Sequence, residues 1–94
     1  MDERRVVVTG MGLVTPLGVG VDAVWHRLIQ NESGAGLITK IDTTDLAVNI
    51  ACEVPLGDTI PDFNADYWVS PKEQRRIDDF ILFGLAAAEQ AITD

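Results

Sequence analysis

Val6-Val7-Val8-Thr9-Gly10-Met11-Gly12-Leu13-Val14-Thr15-Pro16-Leu17-Gly18 opens the apolar sequence of this chain and decides how the rest is read. Three consecutive β-branched valines followed by Thr9 and Gly10 read as a short strand buried on both faces, the central member of a layered α/β fold. Gly10 and Gly12 permit a sharp turn, and Pro16 forbids a helix through this point. A Gly-x-Gly turn after a strand invites a dinucleotide-binding reading, which needs a helix N-terminus immediately behind the glycines. Here Thr15 stands at the third glycine position, Pro16 follows it, and the next amphipathic pattern starts only near Val21. The residues favour a turn under tight packing.

The chain has 94 residues with 15 acidic and 7 basic side chains, a net charge of −8. That balance disfavours nucleic-acid binding and a polybasic membrane anchor, both of which need a basic footprint. The single Cys52 forms no internal disulfide, and the N-terminus lacks the apolar core and cleavage site of a signal peptide. A soluble cytoplasmic protein is the expectation, with no membrane insertion, cofactor or metal.

Val21, Val24, Trp25, Leu28 and Ile29 make the stripe of a one-sided helix, capped or assisted by Asp22, and Gly34-Ala35-Gly36 is expected to end it. His26 lies off that stripe and reads as a solvated helix residue rather than a base or ligand. Asp42, Thr43, Thr44 and Asp45 supply turn chemistry. Val48, Ile50, Cys52 and Val54 then alternate as one face of a half-buried strand closed by Pro55. Cys52 is thus a small apolar strand residue; as a nucleophile it would want a base or helix N-terminus beside it.

A short helical turn is expected at Asp66 to Trp68. Ser70-Pro71-Lys72-Glu73 then combines an N-cap serine, a proline at the first helical position and a capping-box glutamate. From Ile77 to Ile92 the pattern is apolar almost all round, with Gly84 and several alanines allowing close approach by another backbone. It is too short to span a bilayer and reads as the central helix of a core larger than two strands and one helix could enclose. The sequence is therefore expected to be a piece of a larger protein whose remainder covers that helix.

Lys72, Arg75 and Arg76 fall at i, i+3 and i+4 and would share one helix face. In so acidic a chain, cations near a helix N-terminus point to docking with an acidic partner, or else to local pairing with Asp79. Spacing alone leaves both open.

Residues 5–18 and the run Lys72-Glu73-Gln74-Arg75-Arg76-Ile77-Asp78-Asp79-Phe80 together resemble the N-terminal portion of the β-ketoacyl-acyl carrier protein synthases, the type II condensing enzymes of bacterial fatty-acid synthesis. Trp25, Asp42-Thr43, Asp62-Phe63-Asn64 and the alanine-rich helix extend the likeness along nearly the whole chain, although the Pro55 to Pro61 loop is longer than usual for the family. The resemblance implies a thiolase-like fold with layers of helix, sheet, helix, sheet and helix, of which residues 1–94 are the N-terminal part of the first half. It also implies a homodimer and a decarboxylative Claisen condensation of an acyl-enzyme with malonyl-acyl carrier protein. The family's nucleophilic cysteine and two histidines match neither Cys52 nor His26, so no catalytic residue is expected in this stretch. Lys72, Arg75 and Arg76 match the basic segment with which the family docks its carrier protein. A polyketide ketosynthase, a chain-length-factor-like subunit and a non-catalytic module binding an acidic partner are the alternatives.

Overall fold

A computed structural model describes residues 3–94. Its elements alternate between short ribbons and helices. Strands β1 (Val14–Thr15) and β2 (Gly18–Val19) form a tight antiparallel hairpin, pairing Val14 with Val19 and Thr15 with Gly18. Thr15 Oγ1 accepts from the Leu17 N–H at 3.1 Å and donates to the Gly18 carbonyl at 3.2 Å, so the turn containing Pro16 is closed by one hydroxyl. Helix α1 (Val21–Ile29) follows; β3 (Ala35–Leu37) and β4 (Ile50–Cys52) make a second antiparallel ribbon. Helices α2 (Ala65–Trp68), α3 (Pro71–Gln74) and α4 (Asp79–Thr93) complete the order.

Helix content, its placement and the late start of α1 agree with the sequence expectations, and the dinucleotide arrangement is absent because a hairpin separates Gly12 from the first helix. Four expectations need correction. Residues 6–9 are not a strand, and Val6, Val7 and Val8 are 95%, 70% and 80% exposed. Among the described residues no strand edge lies beside them, and β-propensity without a ladder partner leaves an extended segment only. Helix α1 ends at Ile29, and Asn31 just past its cap takes the left-handed conformation at φ 60°, while Gly34 leads into β3, whose first two residues are Ala35 and Gly36. Its apolar stripe is covered only at Val24; Trp25, Leu28 and Ile29 are exposed. Cys52 is exposed rather than half-buried, because nothing packs on the ribbon face that it shares with Ile50.

The core is small. Phe63, Leu82 and Ala86 are buried together, with Val14, Val19, Trp68, Ile77 and Phe83 packed around them. Phe63 meets Phe83 edge-on at 5.0 Å between ring centroids, a favoured aromatic geometry. The Gly10–Leu13 segment lies along the last two turns of α4. Gln90 donates to the Leu13 carbonyl at 3.2 Å and accepts from the Leu13 N–H at 3.1 Å, so one side-chain amide replaces a strand partner. A β-carbon at Gly10 would collide with the Ala91 carbonyl, and one at Gly12 with that of Ala87. The two glycines serve close packing, as their spacing suggested.

Candidate functional site

Of the three cations singled out by spacing, Lys72 lies in α3 and Arg75 and Arg76 on the connection that joins it to α4. Local capping builds that turn. The Asn64 side chain accepts from the Asp66 N–H at 3.1 Å and starts α2. Ser70 accepts from the Glu73 N–H at 3.4 Å with Pro71 at the first helical position, which starts α3 as expected. Gln74 then straps α3 to α2, donating to Asp66 Oδ1 at 2.8 Å and to the Val69 carbonyl at 2.7 Å.

The helix does not run on from there. Arg75 closes α3, the Arg76 N–H donates to the Glu73 carbonyl at 3.0 Å, and Asp78 is extended (φ −82°, ψ 165°) before α4 begins. Lys72, Arg75 and Arg76 therefore occupy a capped turn and its exit rather than one face of a long helix. On either side of the bend, Gln74 is tied to α2 and Ile77 packs on the Phe63 cluster. With Gln74 and Ile77 directed inward, Lys72, Arg75 and Arg76 are left exposed.

Pairing decides the electrostatics. Arg27 is 4.0 Å from Glu32 and donates to the Leu17 carbonyl, and Lys40 Nζ is 3.7 Å from Asp79 Oδ2. Lys72, Arg75 and Arg76 have no carboxylate within 4.0 Å among the described residues. Asp79, the local partner that spacing offered them, is engaged by Lys40 from the segment before β4 instead. That lysine escaped the sequence reading, since 39 residues separate it from Asp79 and no periodicity links them. Its own loop is held by Glu53, whose carboxylate accepts from the Thr39 N–H and hydroxyl at 3.1 and 3.0 Å and from the Lys40 N–H at 3.2 Å. The Thr39 N–H above all holds the Glu53 carboxyl below its ordinary range; desolvation opposes it, and the Thr39 hydroxyl and Lys40 add to the lowering.

Elsewhere the residues weighed in the sequence stand apart. His26 is exposed on α1 and Cys52 on β4, in elements that bring them to no common site. A cleft of about 350 Å³ beside α2 is lined by Ile60, Pro61, Tyr67 and Trp68 together with Asp58 and Asp62. It offers carboxylates and no cation, the wrong sign for an acidic partner. Among the described residues no cluster of His, Cys, Asp and Glu suits a metal ion, and no helix is long and apolar enough to cross a membrane.

Residues 3–94 match the family model described as "Beta-ketoacyl synthase, N-terminal domain". Similar curated proteins include "3-oxoacyl-[acyl-carrier-protein] synthase 2" of Rhizobium meliloti (strain 1021), 47% identical over 92 residues that make up 97% of this chain and 22% of that protein. Proteins of the same name from Synechocystis sp. (strain ATCC 27184 / PCC 6803 / Kazusa) and Staphylococcus aureus (strain COL) are 36% and 35% identical, covering 100% and 98% of this chain and 21% of each relative. The chain thus spans about a fifth of the length of the curated relatives it matches.

Proposed function

The chain belongs to the β-ketoacyl synthase family through its N-terminal domain, and from that premise we propose that it is part of a fatty-acid-elongating condensing enzyme. In this reading the intact enzyme joins an acyl group to malonyl-acyl carrier protein with loss of carbon dioxide, on a layered thiolase-like fold. The observation that carries the reading is the match over the whole described chain to proteins named for 3-oxoacyl-acyl-carrier-protein synthesis.

The contribution of these residues is scaffold and docking. The α3–α4 turn presents Lys72, Arg75 and Arg76 to the acidic carrier protein, and the reacting groups lie in the remainder of the polypeptide. Support for the docking role comes from three exposed cations that make no ion pair among the described residues, on a segment tied down by Ser70, Gln74 and Ile77. Cations so placed raise the association rate of an acidic partner and fix its orientation, and their effect weakens as salt is added. Homodimerisation and a cytoplasmic location complete the reading.

The test is charge reversal in the intact enzyme. Arg75→Glu with Arg76→Glu raises the KM for carrier-linked substrate about tenfold or more at low salt, with a smaller effect as ionic strength rises. Reactivity toward a small carrier-free acyl thioester stays near wild type. Unchanged kinetics with carrier-linked substrate would remove the docking role.

A further inference from the structure

We propose that Lys40 is a positioning residue for the basic turn: by engaging Asp79 it keeps that carboxylate from neutralising Arg75 and Arg76, and so tunes the turn's affinity for an acidic partner. The inference rests on the docking reading above and adds a residue to it from a distant part of the chain.

The local charge shows why a fourth cation matters. Between residues 72 and 79 the three cations are matched one for one by Glu73, Asp78 and Asp79. Taken alone, the turn is neutral. Lys40 makes the sum positive, and it does so at Asp79, the acid that opens α4 four residues after Arg75 and three after Arg76 in sequence.

Lys40 is also held in place. Glu53 accepts from its backbone N–H at 3.2 Å and fixes the neighbouring Thr39 at two atoms. Its ammonium stands 3.7 Å from Asp79 Oδ2 and 5.8 Å from the centroid of the Phe83 ring. Phe83 packs on the buried cluster, so the cation sits between a ring anchored in the core and the carboxylate at the start of α4. A single exposed pair adds little stability. Its effect on a neighbouring charged surface is a separate quantity, read in binding rather than in folding.

A double-mutant cycle on the full-length enzyme tests this, with the affinity for purified acyl carrier protein measured by calorimetry at low and near-physiological ionic strength. Lys40→Met removes the charge and keeps a stem against Phe83; Asp79→Asn removes the competing acid while Glu73 and Asp78 stay. Lys40→Met should raise Kd about two- to fivefold, an effect that salt erodes. Asp79→Asn should change Kd little when Lys40 is present and restore near-wild-type Kd when it is absent, while Lys40→Arg should behave as wild type. Equal effects of Asp79→Asn in both backgrounds would overturn the proposal and make Lys40 an independent charge. So would an unchanged Kd for Lys40→Met in a protein where Arg75→Ala still weakens binding. If Arg75→Ala has no effect either, the docking reading itself fails and this inference falls with it. Thermal unfolding of each variant separates a fold defect from a binding effect.

Discussion

Gly12 lies against α4 so closely that an added β-carbon would overlap the Ala87 carbonyl and come within 2.8 Å of Gln90 Cβ. The obstacle is helix backbone, which cannot rotate away as a side-chain tip can. Gly12→Ala in the intact protein should therefore cost about 1–3 kcal/mol, read as a lowered midpoint of thermal unfolding. An unchanged midpoint would show that the Gly10–Leu13 segment does not lie on α4. Gly10 and Gly12 were legible as packing glycines because Pro16 and the late start of α1 left no helix for them to introduce. Lys40 was not legible. Its meeting with Asp79 depends on the path of the segment between β3 and β4, which local pattern does not encode.

At the scale of elements, caps and periodicity placed the helices well, and sequence missed what joins them. Ser70, Pro71 and Asn64 announce α3 and α2 in side-chain chemistry that acts within three residues. The break between α3 and α4 was not read from the sequence; it lies at the extended Asp78, beside Ile77, which packs on the buried cluster. The three cations that spacing grouped on one helix face are thus exposed together, but on α3 and the bend after it. The bond between Gln90 and Leu13 is a second tertiary feature, joining residues 77 apart in sequence. Gln90→Leu should remove both hydrogen bonds at similar volume and lower stability by about 1–3 kcal/mol, with faster hydrogen exchange at the Leu13 amide. If Leu13 exchange is unchanged, the amide bridge does not hold that segment.

For the molecule as a whole, the described residues expose 7538 Å², where a closed domain of this mass would expose about 5,300 Å². The radius of gyration is 16.4 Å, against about 12 Å for a compact chain of this length. Much of the excess is apolar: Phe80, Leu85 and Ile92 on α4 are 71%, 49% and 80% exposed, and the Val6–Val8 segment is barer still. Surface of this kind marks an interaction site. Gly84 lies on the same exposed side of α4, and a β-carbon there meets nothing within 4 Å. Gly84→Ala should therefore stabilise residues 1–94 produced alone by about 0.5–1 kcal/mol, through helix propensity. In the intact protein, where another backbone is expected against Gly84, the same change should destabilise. A stabilising effect in both settings would leave that face of α4 uncovered.

The sequence by itself determined the family, the helix starts, the packing role of the glycines and the grouping of three cations in residues 72–76. Those features rest on interactions between residues close in the chain, or on motifs whose residue types carry the information directly. Tertiary structure alone decided that the α3–α4 helix breaks, that Asp79 pairs with Lys40, that Gln90 holds Leu13, and that Val6 to Thr9 lacks a ladder here. Each of these depends on which distant segment arrives alongside: a hydrogen bond, ion pair or strand edge is completed only by its partner, and local sequence fixes one half of the pair.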